Sequence, residues 1–402
     1  MKIKKRYITL IILLLISLTL YFLWKVKPKV TEVKLNSVPF SVLPGWKQED
    51  LRPSFAVFQK SCKVFLKMNP DKPVGSELIP LTASAWFPAC QVALQSNAPK
   101  TRQQIKKFFQ TWFDVVEFHN GHPVEGLFTG YYMSALKGSL KKTDKFNIPL
   151  YGMPDDLIAA QLNLFDPDLK NKKIVGRVVD KHRLVPYYTR AEIDDGAIKG
   201  KARVIAWLDS RIDRLFLEIQ GSGVIELPDG SPLYVGYAAQ NGAPYTAIAG
   251  VLIRKGVMTR DNASMQHIRR YLEAHPQEIR HVLNQNKSFV FFEISKTSDA
   301  FGSQGTTLTP GYSMAVDPTW VPMGTPLWLN TTRPANHSDQ MLPFQRLMIA
   351  QDTGGAIRGA VRGDVYWGPG HRAESIAGRM KNPGKYWMLL PKQSIIPMIH
   401  AA

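Results

Sequence analysis

The chain has 402 residues, 45% of them apolar, and a formal net charge of +19 at pH 7. That length suits about two domains, and the apolar share excludes wholesale disorder. The charge points to an anionic partner, but no RNP motif, zinc-finger spacing or heptad basic helix accompanies it, so nucleic acid is not expected.

The first residues bear on compartment. Lys2 to Arg6 is mostly basic, and Tyr7 to Trp24 is an almost unbroken apolar run, about long enough to span a bilayer. No A-x-A cleavage site follows, and no cysteine stands near its end for lipid attachment. Residues 1–29 therefore read as an N-terminal membrane anchor, with a cleaved signal segment as the alternative. The basic start favours a cytoplasmic N-terminus and leaves everything after Lys29 outside the cytoplasm. Further lysines cluster at Lys25 to Lys29, Lys137 to Lys145 and Lys170 to Lys173.

Residues 30–47 read as a linker leading into a first strand. From Lys47 to Asn120 the pattern is helical, with Phe55, Phe58, Cys62 and Phe65 at helical spacing. A second short helix covers Thr82 to Gln95. A third starts at the capping-box sequence T-R-Q-Q of Thr101 and carries Phe108, Trp112, Phe113 and Val116. Cys62 and Cys90 are the two cysteines; they either pair in an oxidising compartment or stay as buried thiols.

At Gly126 the character changes to short strands, including Lys173 to Val179, Val204 to Leu208, Leu215 to Ile219 and Pro232 to Ala238, as in a small barrel or sandwich. Tyr245 to Lys255 and Ser264 to Asn284 read as helices. From Phe289, strands joined by Gly/Pro turns look like one β-barrel. The helical segment before Gly126 lacks a sheet of its own and should pack on that barrel. The chain then divides into residues 30–125 with 289–402, and an inserted domain at 126–288, with a groove between them.

Gln351 to Gly368, Q-D-T-G-G-A-I-R-G-A-V-R-G-D-V-Y-W-G, places Asp352 and Asp364 near the ends of a glycine loop between apolar strands. A carboxylic acid kept neutral by such surroundings can donate a proton near neutral pH. Asp364, flanked by Tyr366 and Trp367, is the stronger candidate; Asp352 also reads as a loop cap. Four further stretches should face the groove, offering tyrosine faces and polar side chains suited to sugars. They supply Tyr131; Gln220 and Ser222; Tyr234 and Asn241; and Ser303, Thr309 and Asp317. Asp352-Thr-Gly matches the aspartic-protease triplet, but a second D-T-G is absent. G-x-S-x-G, G-K-[ST] and zinc-ligand spacing are absent too, so no metal or cofactor is expected.

From Pro39 to Pro391 the sequence resembles the membrane-bound lytic murein transglycosylase A family. The motifs that carry the likeness are F-T-G-Y-Y at Phe128, E-I-Q-G-S-G at Glu218, G-S-Q-G…L-T-P at Gly302, A-V-D-P at Ala315 and D-T-G-G-A-I-R-G at Asp352, ending in G-D-V-Y-W-G. Met133-Ser134 and Tyr312 depart from the family pattern, as does the lack of a lipid-attachment cysteine.

The resemblance implies a double-psi β-barrel domain carrying packed helices, an inserted second β-barrel and a glycan groove between them. It implies Asp364 as catalytic acid/base with Asp352 in support; Tyr131, Gln220, Ser222, Tyr234, Asn241, Ser303, Thr309, Asp317 and Trp367 are read from the groove-facing stretches as substrate contacts. It implies cleavage of peptidoglycan strands to 1,6-anhydromuramyl products in the periplasm of a Gram-negative bacterium, with cell-wall synthesis or division proteins as further partners. A hydrolase on the same fold and a non-catalytic, expansin-like wall-binding protein are the alternatives.

Overall fold

The computed structural model describes residues 33–169, 172–260, 262–295, 297–336 and 338–392. The expected anchor at residues 1–29 and Lys170 lie outside the described residues. Among the described residues no helix is long and apolar enough to cross a membrane.

Strand β1 (Lys34–Val38) pairs antiparallel with β2 (Phe113–His119). Between them lie helices α1 (Arg52–Phe65), α2 (Phe87–Leu94) and α3 (Arg102–Trp112). The stripe Phe55, Phe58, Cys62 and Phe65 is buried along α1. Helix α3 opens on the expected capping box, Thr101 with Gln104. Cys62 and Cys90 form a disulfide that ties α1 to α2.

The helical reading needs one correction here. Phe113 and Val116 sit in β2, because F-D-V-V-E-F-H alternates with the period of a strand once α3 ends. The segment before Gly126 thus contributes two strands, and β2 adds to the sheet beside the last strand, Lys381–Pro391.

Strand β3 (Gly126–Ser139) is long enough to serve both halves of the molecule. After it come β4 (Ile148–Tyr151), a three-stranded sheet of β5 (Ile158–Gln161), β6 (Lys173–Val179) and β7 (Arg183–Pro186), and helix α4 (Arg190–Asp194). Strand β8 (Val204–Leu208) leads to helix α5 (Arg211–Gln220). The expected strand at Leu215 to Ile219 is therefore wrong. Ser210 caps the helix through the Asp213 N–H, and Ile212, Leu215 and Phe216 pack at helical spacing. Strands β9 (Ser222–Glu226) and β10 (Pro232–Gln240) form a hairpin around Asp229-Gly230. Helices α6 (Ile248–Arg254), α7 (Met265–Ala274) and α8 (Ile279–Leu283) precede β11 (Val290–Ile294). Strand β11, grouped by sequence with the C-terminal strands, pairs instead with β10.

The rest of the chain holds β12 (Phe301–Gly302), β13 (Thr306–Thr307), β14 (Ser313–Val316), β15 (Pro326–Ala335), β16 (Ser338–Thr353), β17 (Arg362–Pro369), helix α9 (His371–Ala377) and β18 (Lys381–Pro391). Neighbouring strands run β18-β15-β16-β14-β17-β3, and β3 pairs back onto β18. The six strands therefore close into a ring, with β14–β16 and β17–β3 parallel. One core fills this ring and continues under the helices, from Met314, Leu347 and Val365 to Phe58, Trp86 and Phe109. The C-terminal half of β3 leaves the ring to pair with β9 and β8. There Leu136, Ile205, Ile225 and Phe292 form a separate core. The site described next lies just before β3 crosses from one core to the other.

Candidate active site

Asp364 and Asp352 come from different strands but share one neighbour. Strand β14 runs between β16 and β17, and Ala315 is the register partner of both aspartates. With two inter-strand steps separating them, their backbones stand about 9–10 Å apart on the same face of the sheet. The shared methyl side chain leaves room for both carboxyls to approach. A register shift between Met314 and Ala315 puts an extra residue, Gln351, into β16. Without it Gln351 would stand opposite Ala315. A bulge commonly re-aims a side chain beside a functional site. Gln351 is fixed in the core by Ser313 Oγ (2.6 Å) and Ser61 Oγ (2.9 Å).

Asp364 is held from β3. Thr129 is its partner across the parallel β17–β3 pair, and the Thr129 hydroxyl donates to Asp364 Oδ1 at 2.6 Å. Arg362 Nη2 donates to Thr129 Oγ1 at 2.9 Å. That bond occupies a lone pair of the hydroxyl and leaves its proton for Asp364. Among the described residues Oδ2 accepts no hydrogen bond, so it is the oxygen left to carry a transferable proton.

Asp352 is more fully bonded. Its Oδ2 accepts from the Tyr131 hydroxyl at 2.8 Å, and its Oδ1 from the N–H groups of Ser303 (3.0 Å) and Thr353 (2.9 Å). Tyr131 also packs on Tyr366, their ring centres 5.2 Å apart. Around them lie Met133, Ala300, Leu308, Ala315 and Ile357, an apolar wall on the carboxylate face.

Burial pushes the Asp364 carboxyl above its ordinary range; the Arg362 charge and the Thr129 hydrogen bond oppose the rise, and the Asp352 charge adds to it. Burial raises Asp352 too, against the hydrogen bonds from Ser303, Tyr131 and Thr353. Tyr131 is driven well above its usual value by burial and then by Asp352, so it remains a donor. A carboxyl whose proton affinity is raised by burial, beside a second carboxyl and a phenol, can give a proton and take it back.

The other sequence candidates divide. Tyr131 belongs to the site, and Ser303 reaches it through its N–H. Tyr234 packs against the same apolar wall. Thr309 accepts from Lys60 Nζ at 3.0 Å, one hairpin away. Ser222 opens β9, partly exposed, where that strand leaves α5.

Four candidates are turned elsewhere. Asn241, 1% exposed, is spent on the Tyr188 and Lys287 carbonyls and the Phe289 N–H. Gln220 Oε1 accepts from the Tyr132 N–H at 2.9 Å, pinning α5 to β3. Asp317 caps its own turn at Thr319 and accepts from the Gly359 N–H at 2.8 Å. Trp367 lies on the opposite face of β17 from Asp364, against Phe344 and the backbone of Gly130. A Cβ on Gly130 would stand 2.7 Å from the Trp367 ring.

Thr129 and Arg362 were missing from the sequence-based site. Both were legible in principle. Arg362 stands two residues before Asp364 on the same strand face, and Thr129 lies inside F-T-G-Y-Y.

Comparison with known proteins places this geometry. Residues 127–293 match the MltA specific insert domain, and residues 312–390 match the 3D domain. The membrane-bound lytic murein transglycosylase A of Escherichia coli (strain K12) is 34% identical over 265 residues, 65% of this chain. The chain spans only 65% of the length of that relative, and the same share of the homolog in Buchnera aphidicola. Solved structures align more fully. A membrane-bound lytic murein transglycosylase from Agrobacterium tumefaciens superposes with a TM-score of 0.79 at 28% identity, covering 91% of this chain and 99% of that one. MltA from Neisseria gonorrhoeae gives 0.72 at 32% identity, covering 89% and 93%. Escherichia coli MltA with bound chitohexaose gives 0.62 at 26% identity, covering 90% and 95%. A ring of strands with paired aspartates, an insert and these matches together make the chain a member of the membrane-bound lytic murein transglycosylase A family.

Proposed function

We propose that this chain is a peptidoglycan lytic transglycosylase in which Asp364 is the sole acid and base. The observation that carries the reading is the Asp364 carboxyl itself: raised by burial, held at one oxygen by Thr129, and without a hydrogen bond at the other among the described residues. Asp364 donates its proton to the glycosidic oxygen between N-acetylmuramic acid and N-acetylglucosamine. The bond from C1 to that oxygen breaks, and the C6 hydroxyl of the muramyl sugar closes on C1. The hydroxyl proton passes to the Asp364 carboxylate, which restores the acid. No water is consumed, so no second carboxylate is needed to activate one, in contrast to hydrolytic glycosidases. The intramolecular nucleophile supplies the proximity. Asp352 raises the proton affinity of Asp364 by its charge, and Arg362 through Thr129 sets its orientation.

The closed ring of β14–β18 and the first half of β3 is read as a double-psi β-barrel, with the chain from the second half of β3 through β11 as the inserted barrel and the glycan lying between them. The Escherichia coli complex with chitohexaose supports a β-1,4-linked amino-sugar strand as the occupant. That these relatives are membrane-bound supports residues 1–29 as an anchor, and the catalytic part is read as lying in the periplasm.

The test is the mass of products released from purified sacculi. The reading requires 1,6-anhydromuramyl ends, lighter by one water than the reducing ends a hydrolase leaves. Reducing ends as the main product, or binding without release, would reject it.

A further inference from the structure

A second groove lies beyond the wall of the acid site. Its volume is about 460 Å³, within the range of a ligand cleft, and its lining includes Lys60, Lys63, Lys67, Met68 and Phe301. The three lysines recur along α1 and the turn after it, and no carboxylate lines the groove. Like charges at such spacings repel by a few tenths of a kcal/mol per pair in an isolated helix. Lys60 is tied to the opposite wall, donating to Thr307 Oγ1 (3.1 Å) and Thr309 Oγ1 (3.0 Å). Lys63 and Lys67 are exposed. Phe301 is 63% exposed at the rim.

The opposite wall is the β12–β13 hairpin, whose turn residue Ser303 donates its N–H to Asp352. One short hairpin thus has the lysine groove on one side and the carboxylate pair on the other.

We propose that this groove is an anionic subsite, in which Lys63 and Lys67 bind carboxylates carried by the same glycan strand that Asp364 cleaves. The inference rests on the peptidoglycan reading above. Two carboxylate sources fit: the stem peptides, and the lactyl groups of those muramyl sugars that carry no stem peptide and so have a free carboxylate. Phe301 offers an apolar face to the chain between charges.

The test compares three full-length proteins for retention on purified sacculi: wild type, Lys63→Glu/Lys67→Glu, and Lys173→Glu/Lys199→Glu. The last makes the same charge change at exposed lysines of the insert. At low salt the groove variant should bind about tenfold more weakly than the other two, and added salt should narrow the gap. The milder Lys63→Gln/Lys67→Gln protein should fall between, which separates charge from misfolding. Repeating the assay on sacculi stripped of stem peptides by an amidase identifies the source. Stripping frees one lactyl carboxylate at each muramyl sugar it acts on, so a deficit that persists shows that lactyl carboxylates serve the groove, and one that vanishes assigns the stem peptides. Equal retention of both charge-reversal variants on intact sacculi would overturn the proposal. Product masses from wild type in the same preparation keep the outcomes distinct, because a failure of the transglycosylase reading would appear there.

Discussion

Two carboxylate clusters of the molecule contrast, and only one is fully matched by cations. In the insert, Glu218 meets Arg190 and Arg214, and Asp194 meets Arg214 (2.6 Å) and Arg211 (3.2 Å). The side chains of Arg190, Arg214 and Glu218 are nearly inaccessible. Arg190 also bonds the Asn286 and Ser288 carbonyls, joining α4 to the chain before β11. In the ring, Asp364 and Asp352 face one guanidinium, Arg362, which reaches Asp364 through a threonine hydroxyl. Their remaining partners are neutral donors and apolar walls. The first arrangement holds elements together. The second leaves a carboxyl that gains by staying protonated, which is what a general acid requires.

The sharpest break in that comparison is removal of the acid. Asp364→Asn should lower anhydromuropeptide release by about 10²–10⁴-fold, the usual contribution of a general acid. It should also stabilise. A carboxyl whose folded pKa exceeds its unfolded one costs stability as pH rises from the unfolded value through the folded one. Thermal unfolding should therefore find the variant more stable than wild type near neutral pH, with the gap closing in acid. A variant less stable at neutral pH would mean Asp364 is a structural ion like Glu218.

Glu218→Gln is the converse experiment. It leaves two buried guanidiniums short of a partner and should destabilise by about 3–5 kcal/mol, as when one member of a buried pair is removed. Denaturant unfolding measures this directly, and a loss below about 1 kcal/mol would place the network among weak surface pairs. Opening the disulfide, as Cys62→Ser/Cys90→Ser, should cost about 2–4 kcal/mol for a loop of this size. Products from the surviving folded protein should be unchanged, since α1 and α2 support the ring from outside.

The smallest effects are the most specific. Asp352→Asn removes a charge that raises Asp364, so the alkaline limb of the rate profile should move to lower pH. Thr129→Val removes a hydrogen bond that lowers Asp364, so the same limb should move to higher pH. Profiles that move together, or not at all, would uncouple these residues from the acid.

Sequence carried the acid better than its surroundings. Asp364 and Tyr366 share a strand face by simple alternation, and the capping box at Thr101 is a local device visible in four residues. Helix α5 was misread because Leu215, Phe216 and Leu217 form a short apolar run, while the wider spacing from Ile212 and the cap at Ser210 carried the helical signal. Asn241, Gln220 and Asp317 look like cleft residues because amides and acids suit sugars. Their use is set by backbone groups far away in sequence, such as Phe289 for Asn241 and Gly359 for Asp317. Local pattern does not show which distant carbonyl or N–H needs a partner. The bulge at Gln351 is similarly tertiary, arising from a core amide that bonds Ser61 and Ser313.

The central claim concerns where one proton resides, and carbon NMR of carboxyl-labelled protein reads it. The Asp364 resonance, assigned by its loss in Asp364→Asn, should titrate above the ordinary aspartate range and move down in Asp352→Asn. A resonance that titrates at or below that range would contradict the account.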